Sequence, residues 1–355
     1  MADRQQTIRF VNTRDGVRLA WATSGAGPTL VKASNWISHL EYDWESPMWR
    51  HWTQFFSEHF RYLRFDERGN GLSQQTLDEL TADHWLADLE DVVQAAKPDK
   101  PFVLLGISQG SIAAIQYAVA HPEDVSHLVL YGGYATGWNV RTTDDVQRQM
   151  RAIIDLTELG WGKSEPTYRR MYTSRFLPRG TEEQLHWFDE LLRKTTTPKM
   201  AARQVENRGQ ADVEDLLGKI TVPTLILHGR EDQCIPFKAG LNLAAGIPGA
   251  EFVQLESDNH ILTEDEPAWG ELQQAIINFT GVQVAKENAV FEQLSVRERE
   301  ILAHMIEGET NPEIGRSLFI SEKTVRNHVT HIFGKLGVSN RAQAMVLARD
   351  NGFRP

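Results

Sequence analysis

The stretch Phe102-Val-Leu-Leu-Gly-Ile-Ser108-Gln-Gly-Ser-Ile112 decides the fold of this chain. Apolar residues typical of a buried strand run into the pattern G-x-S-x-G, and residues with helical spacing follow. A serine there occupies a strained turn between strand and helix, and the flanking glycines let the two elements approach closely. The pattern predicts a nucleophilic Ser108 at a helix N-terminus, which favours developing negative charge. The alternative is a glycine-bounded turn with an incidental serine.

Strand-length apolar runs alternate with helical patterns over the first 280 residues. A hairpin signal at 7–11 and 17–21 comes first, and further runs lie at 29–31, 62–65, 102–105, 128–131, 224–227 and 252–255. This alternation predicts an α/β fold with a mostly parallel sheet covered by helices on both faces. From about residue 137 to 215 only amphipathic helical patterns occur, as at 146–159 and 182–192. They predict a helical lid over the carboxyl ends of the strands, where such sheets bind ligands.

Two later strand ends supply partners for Ser108 in the order serine, acid, histidine. Asp232 and His260 each follow a buried strand pattern, so both are expected at the same edge of the sheet. In the predicted site Ser108 attacks, His260 takes and returns its proton, and Asp232 holds the imidazole tautomer. Glu231 is the alternative acid. His228, at the same strand end as Asp232, fits a packed histidine before a turn glycine better than a catalytic one.

Together these motifs resemble the α/β-hydrolase family across about residues 5–280. The segment Phe65-Asp-Glu-Arg-Gly-Asn-Gly-Leu-Ser73 is similar to that family's D-x-R-G-x-G-x-S turn. The family commonly carries His-Gly after its third strand, whereas this chain has Ser34-Asn35 there. The resemblance implies that the backbone N–H groups of Gln109 and Trp36 are the oxyanion donors, with Asn35 beside them in the ligand pocket. Because Asn35 reaches unusual backbone angles less readily than glycine, turnover is expected to be slow or absent.

The tract from Trp36 to Trp52 is dense in aromatic residues. It fits an apolar pocket wall near Ser108 and fits equally a helix packed on the sheet. The sequence leaves both readings open.

Length and composition restrict the class of protein. The 355 residues are enough for two domains, and no apolar run approaches the roughly 18 to 20 residues that span a bilayer. The N-terminus lacks the apolar stretch of a secretory signal, and the single cysteine, Cys234, precludes an intramolecular disulfide. We therefore expect a cytoplasmic protein without membrane contact. Neither a metal site nor a cofactor is predicted.

Net charge divides the chain into two unlike parts. Residues 291–355 hold nine Lys or Arg against eight Asp or Glu, whereas the preceding residues hold 28 against 40. An acidic body repels phosphate backbones, so any nucleic-acid contact has to come from a local basic face. Lys323, Arg326 and Lys335, with Glu322 as the only acid among them, form such a face or simply a solvated one.

The last 65 residues carry the pattern of a helix-turn-helix. Ser295 and Glu298 form a capping-box signal for one helix, and Asn311-Pro312 starts a second, for which Ile314, Leu318 and Phe319 are expected to form a buried face. A third helix begins at Ser321. Its apolar residues recur at helical spacing: Val325, Val329, Ile332 and Leu336. Two short helices on a tight turn, the second with polar residues opposite its apolar stripe, fit major-groove binding; a generic three-helix bundle is the alternative.

The amino-acid sequence of this region resembles the LuxR-type helix-turn-helix, as in Leu318-Phe-Ile-Ser-Glu-Lys-Thr-Val-Arg-Asn-His-Val329 and Lys335-Leu-Gly-Val-Ser-Asn-Arg341. The resemblance implies that bases are read by Arg326, Asn327 and Thr330. It assigns phosphate contacts to Lys323, Thr324 and Lys335. His328, between two apolar positions, fits a structural role better.

The sequence thus predicts an α/β-hydrolase-like domain over residues 1–280, a linker at 281–290 and a LuxR-type DNA-binding domain over 291–355. The first hypothesis is a homodimeric transcription regulator that binds double-stranded DNA at an inverted repeat and senses a small apolar ester, lactone or amide, with slow hydrolysis or none. The second is an active serine hydrolase with autoregulatory or incidental DNA binding. The third is an inactive scaffold used for dimerisation, which the intact Ser108, Asp232 and His260 disfavour.

Overall fold

The computed structural model describes residues 6–75, 77, 80, 81, 83–282, 289–291, 293–350 and 353. Residues 6–282 form one compact unit, and the described residues from 289 onward belong to a second. Most of the predicted linker at 281–290 lies outside the described residues. Among the described residues, no helix combines the length and the apolar character that crossing a membrane requires.

An eight-stranded sheet with the order β1-β2-β4-β3-β5-β6-β7-β8 is the centre of the first unit. β1 and β2 form the predicted hairpin, β2 pairs antiparallel with β4, and all later pairings are parallel. The strands are β1 (Thr7–Asn12), β2 (Arg18–Ser24), β3 (Thr29–Ala33), β4 (Arg61–Phe65), β5 (Phe102–Ile107), β6 (Val125–Tyr131), β7 (Thr224–Gly229) and β8 (Glu251–Leu255). The mostly parallel α/β fold predicted from the sequence is confirmed.

Helices cover both faces of this sheet because its buried strands are apolar on both sides. In β5, Leu104 belongs to the core on one face, whereas Val103 and Leu105 belong to the core on the other, as the two-residue period of a strand requires. Outside the lid the helices are α1 (Leu40–Glu45), α2 (Arg50–His59), α3 (Asp83–Ala96), α4 (Gly110–Ala120), α10 (Phe237–Gly246) and α11 (Pro267–Thr280).

The lid is helical, as its sequence pattern predicts. It consists of α5 (Trp138–Arg141), α6 (Asp144–Gly160), α7 (Thr167–Phe176), α8 (Glu182–Thr195) and α9 (Pro198–Gln210). Its helices have N-cap side chains at Thr181, which forms a full capping box, and at Thr197. Buried aromatic residues of the lid pack into the same core as α2 and α11. The lid therefore shares a core with one face of the sheet.

The second unit contains four described helices: α12 (Val296–Ile306), α13 (Asn311–Ser317), α14 (Glu322–Leu336) and α15 (Arg341–Asp350). The predicted capping box of Ser295 and Glu298 opens α12, and the four apolar positions predicted for α14 are all buried. Phe319 is a correction. It was expected on the buried face of α13, but it lies past the helix end with a left-handed φ of 55° and is 95% exposed. The backbone reverses direction at this residue, so its side chain leaves the helical face.

Candidate active site and nucleic-acid interface

Ser108 lies at a tight turn between β5 and α4. It has a φ of 52°, a left-handed backbone conformation that residues other than glycine seldom adopt. A Cβ on Gly106 would lie 2.8 Å from the Cα of Ser111, and one on Gly110 would lie 3.0 Å from the carbonyl oxygens of Ala33 and Ser34. The two glycines are thus required for the close approach of strand and helix that forces the serine into this strained position.

Asp232 and His260 meet at the carboxyl ends of β7 and β8. The Nδ1 of His260 lies 2.6 Å from the Oδ2 of Asp232, and both side chains are buried. The other carboxylate oxygen, Oδ1, accepts the backbone N–H groups of Cys234 at 2.7 Å and Ile235 at 2.9 Å. The carboxylate is thereby fixed with one oxygen toward the imidazole. Glu231, the alternative acid, is exposed to solvent.

The imidazole of His260 is held from the lid side as well. Its backbone N–H donates to the carbonyl of Phe176 at 2.8 Å, and the Phe176 ring meets the imidazole edge-on at 5.2 Å. The Nε2 of His260 is buried and has no hydrogen-bond partner among the described residues. His260 and Ser108 both line one cavity. An imidazole nitrogen without a hydrogen-bond partner among the described residues is able to take up a proton from a group in that cavity.

His228 is buried in a different setting. Its Nε2 lies 3.0 Å from the carbonyl of Ile235 and 3.7 Å from Asp232, and its ring packs against Phe237. It is absent from the cavity wall that Ser108 and His260 share. These contacts are those of a packed histidine.

The loop after β3 contains the predicted oxyanion segment. Lys32, which is buried, donates through Nζ to the Oδ1 of Asn35, and the Nδ2 of Asn35 donates to the carbonyl of Trp36 at 3.0 Å. Asn35 has no positive φ; the left-handed residue of this loop is Ile37, with a φ of 62°. The unusual backbone angle expected at Asn35, where the family has glycine, is therefore found two residues later, at Ile37. The side chain of Asn35 is fixed by its hydrogen bond from Lys32.

The backbone N–H of Trp36 already has an acceptor. It donates to the side-chain Oε1 of Gln109 at 3.1 Å, and Nη2 of Arg208 approaches the same oxygen at 3.4 Å. The backbone N–H of Gln109 has no acceptor among the described residues. Of the two predicted oxyanion donors, the N–H of Gln109 is free in this arrangement and that of Trp36 is engaged.

Arg208 connects lid helix α9 to this wall. Its Nη2 forms a 2.5 Å ion pair with the Oε2 of Glu67, and its guanidinium lies 5.1 Å from the ring centre of Trp36. Both ionic side chains are buried. Burial raises the pKa of Glu67 and lowers that of Arg208, while their mutual attraction opposes both shifts. The sequence contains no motif that marks Arg208, because its role arises only when the lid packs on the elbow.

The lysine of the oxyanion loop belongs to a further buried polar group. Burial lowers the pKa of Lys32 to about 8, and burial raises the pKa of nearby Asp43 to about 7. Arg64 lies 3.8 Å from Asp43. Lys32 links this group to the cavity wall through its hydrogen bond to Asn35, and no motif in the sequence marks the association.

The cavity beside Ser108 has a volume of about 190 Å³ and is lined mainly by apolar side chains. Trp36, Ile37 and Trp49 of the aromatic tract form part of its wall, whereas Trp52 packs on Tyr131 and Trp269 in the core beneath. Both readings of that tract are therefore correct for different residues. The lid contributes Trp138, Tyr172, Phe176, Phe188 and Val205.

In the second unit, α14 presents a polar face opposite its buried stripe. The predicted base-reading residues, Arg326, Asn327 and Thr330, are all exposed, and so is Lys323. His331 is exposed one turn after Asn327, a position that helical spacing could have added to the predicted set. Helical periodicity alone thus brings these side chains onto one surface.

Four of the predicted DNA-contacting side chains are engaged within the protein, among them Thr330, whose hydroxyl donates to the carbonyl of Arg326 at 3.0 Å. Arg326 pairs with Glu322 at 2.6 Å on the surface, and the hydroxyl of Thr324 lies 2.8 Å from that of Ser321. Lys335 pairs at 2.6 Å with Glu298, which is buried. The pair of Lys335 joins α14 to α12, so this residue supports the helix-turn-helix itself.

Comparison with protein families divides the chain in the same way. The sequence profile described as alpha/beta hydrolase fold matches residues 43–267, and the profile of bacterial regulatory proteins of the luxR family matches residues 292–348. The AB hydrolase superfamily protein YisY of Bacillus subtilis is 25% identical over 253 residues, which cover 71% of this chain and 91% of YisY.

One further relative and one solved structure match one unit each. The transcriptional regulatory protein LiaR of Bacillus subtilis is 54% identical over 66 residues, covering 18% of this chain and 31% of LiaR. An esterase from Exiguobacterium antarcticum superposes with a TM-score of 0.66 at 23% identity, covering 78% of this chain and 100% of the esterase. At that identity the esterase shows the fold alone.

Proposed function

We propose, for a chain that belongs to the alpha/beta hydrolase fold family and carries a luxR-type helix-turn-helix at its carboxyl end, that the hydrolase-like unit senses a small molecule. The ligand is a small apolar ester, lactone or amide, and its occupancy of the cavity changes the affinity of the chain for DNA. The observation that carries the proposal is the apolar cavity lined by both Ser108 and His260, whose Nε2 has no hydrogen-bond partner among the described residues.

The chemistry of the cavity follows from its donors and acceptors. Ser108 Oγ attacks the carbonyl carbon while its proton passes to Nε2 of His260, and Asp232 stabilises the imidazolium through Nδ1. The proton then goes to the leaving alcohol or amine as the acyl-enzyme forms, and water, activated by the same nitrogen, releases the acid and regenerates Ser108. The backbone N–H of Gln109 faces the developing oxyanion. Slow turnover suits a sensor, because it lengthens occupancy.

The second candidate is an active serine hydrolase whose DNA binding is autoregulatory or incidental. The 2.6 Å contact between His260 and Asp232 favours it, since a binding pocket alone does not need an oriented imidazole. The two candidates differ in one measurable property, which is whether occupancy of the cavity changes operator affinity.

The DNA-binding unit is expected to act as a homodimer on an inverted repeat. A single module of low net charge makes few phosphate contacts, and helix-turn-helix dimers read half-sites about one helical turn apart. Ligand occupancy shifts DNA affinity only if the two conformations or assemblies bind the ligand unequally. The usual coupling corresponds to a change in operator affinity of about 5- to 150-fold.

One covalent probe tests the proposal. Diethyl p-nitrophenyl phosphate should label Ser108, with Ser108→Ala as the unlabelled control. Duplexes are selected from a random library with the wild-type protein, and their dissociation constants are then measured at fixed salt before and after labelling. A change of about fivefold or more in labelled wild type, absent from treated Ser108→Ala, supports the sensor. Labelling with unchanged DNA affinity and oligomeric state supports the second candidate, and failure to label removes Ser108 as nucleophile.

A further inference from the structure

The side-chain amide of Gln109 is oriented by its neighbours. Its oxygen position receives two hydrogen-bond donors, the backbone N–H of Trp36 at 3.1 Å and Nη2 of Arg208 at 3.4 Å. Neither group is able to accept a hydrogen bond, so the amide oxygen has to face them and the amide nitrogen has to face away. The chemistry of the neighbours therefore settles which end of this amide is Oε1.

The nitrogen that remains, Nε2 of Gln109, is buried and has no hydrogen-bond partner among the described residues. The residue is 2% exposed, and it lines the cavity beside Ser108. A buried donor without an acceptor lowers stability, and such groups persist mainly where a ligand or a reaction uses them. The amide thus has an uncommitted donor on a residue that lines the cavity and follows Ser108 directly in the chain.

We infer that Nε2 of Gln109 binds the carbonyl oxygen of the ligand, and that Trp36 acts through its hold on the opposite end of the amide. This inference rests on the proposed function of the cavity and specifies its ligand class: a molecule with a carbonyl acceptor on an apolar body. The site distinguishes an ester, lactone or amide from an ether or hydrocarbon of the same shape.

The amide is held in place firmly enough for this role. Arg208, which approaches Oε1, is itself fixed by its ion pair with Glu67, and the Trp85 indole donates to the same carboxylate at 2.9 Å. The indole of Trp36 donates to Gln204 of the lid at 2.9 Å. Both partners of the Gln109 oxygen are therefore anchored by further side chains. A loosely held glutamine would instead act as a plug that a substrate displaces.

The deciding experiment pairs two probes that differ only at the carbonyl. Binding of ethyl hexanoate and of ethyl hexyl ether is measured in full-length Ser108→Ala, where hydrolysis is blocked, with Gln109 present and with Gln109→Met. The preference for the ester over the ether should fall about 3- to 10-fold in Gln109→Met, the loss of one hydrogen bond. If both proteins prefer the ester over the ether equally, as they would if Nε2 bound water, the inference is overturned. It is also overturned if the ester does not bind.

A second variant keeps the packing of the wall. Gln109→Glu retains an acceptor for Trp36 and Arg208 but replaces the Nε2 donor by an oxygen. With Ser108 present, labelling by diethyl p-nitrophenyl phosphate should slow about 10- to 100-fold in Gln109→Glu and Gln109→Met, because a donor to the phosphoryl oxygen is lost. Gln116→Glu, the same change further along α4, is the control and should label at the wild-type rate.

The outcomes separate this inference from the proposed function. Faster labelling of the Gln109 variants identifies the side chain as a plug and overturns the inference, although Ser108 remains the nucleophile. If wild type is not labelled at all, the serine chemistry is wrong, yet the comparison of ester and ether in Ser108→Ala still decides whether Gln109 binds a carbonyl.

Discussion

Replacing Asp232 by asparagine tests the catalytic geometry without removing the side chain. In the wild type, Oδ1 accepts two backbone N–H groups, those of Cys234 and Ile235, while Oδ2 faces Nδ1 of His260. The amide oxygen of an asparagine has to take the Oδ1 position. Turning the NH2 toward the two N–H donors would leave buried groups unsatisfied, at about 1–3 kcal/mol each.

The NH2 of Asp232→Asn therefore points at Nδ1 of His260 and makes it an acceptor. The imidazole proton moves to Nε2, which then has no lone pair for the proton of Ser108. An imposed wrong tautomer lowers turnover about 10⁴-fold in the serine-protease triad, equivalent to about 5.4 kcal/mol at 1.36 kcal/mol per tenfold. We expect labelling by diethyl p-nitrophenyl phosphate to slow about 10³- to 10⁴-fold.

The assay follows nitrophenolate release, with intact mass to confirm one adduct on Ser108. Glu231→Gln is the matched control, because its carboxylate is exposed and is the alternative acid. It should label at the wild-type rate, and both variants should keep wild-type DNA affinity without the probe. A loss below tenfold in Asp232→Asn, or a large loss in Glu231→Gln, would show that the assignment of the acid is wrong.

Three further predictions concern the two units. A chain truncated after Ala285 should fold and label at the full-length rate, because the sheet, lid and triad precede that point; insoluble protein would contradict the boundary. Lys323→Ala should weaken selected and scrambled duplexes alike and flatten the salt dependence, whereas Arg326→Ala should lose base preference, by about 1–3 kcal/mol on the selected duplex; competition binding separates them. Burial alone would raise the pKa of Glu298, but hydrogen bonds from Lys335 and Ser295 lower it. The stabilisation from this carboxylate is therefore complete above its ordinary pKa of about 4.3 and is lost as pH falls below it. Hydrogen exchange of the α12 backbone amides should show that Glu298→Gln is about 1 kcal/mol less stable than wild type at pH 7, and this difference should shrink toward pH 3.

Periodicity and turn signals were sufficient to predict the strands and to predict that Asp232 and His260 lie at one edge of the sheet, where their side chains meet. Each strand pattern became a strand because a parallel sheet buried on both faces needs continuous apolar runs, and such runs are visible in a sequence. The position of Phe319 was not visible in this way. Its apolar side chain fits the stripe of α13, but the helix ends at Ser317, and a cap position obeys turn geometry instead of helical spacing.

The side-chain contacts in the wall of the cavity were harder to predict from the sequence. The sequence identified Gln109, Trp36 and Asn35 as neighbours of the serine, but it gave no sign that Gln109 bonds to Trp36 or that Arg208 reaches both. These contacts join residues 73 and 99 positions apart. They depend on how the lid packs on the elbow, which no local pattern encodes. Side-chain hydrogen bonds between distant segments are thus the part that required the structure.

The distribution of strain argues that the cavity is retained for a purpose. Ser108 and Ile37 both adopt left-handed backbone angles beside it, and each costs about 1–3 kcal/mol. The buried Nε2 of Gln109, which has no hydrogen-bond partner in the part of the chain that the structure describes, adds a cost of similar size on the same wall. Together these are a large share of the roughly 5–15 kcal/mol that keeps a domain folded. A scaffold kept only for dimerisation would gain stability from any mutation that relaxed them. Their concentration around one cavity therefore favours a unit that binds and positions a ligand.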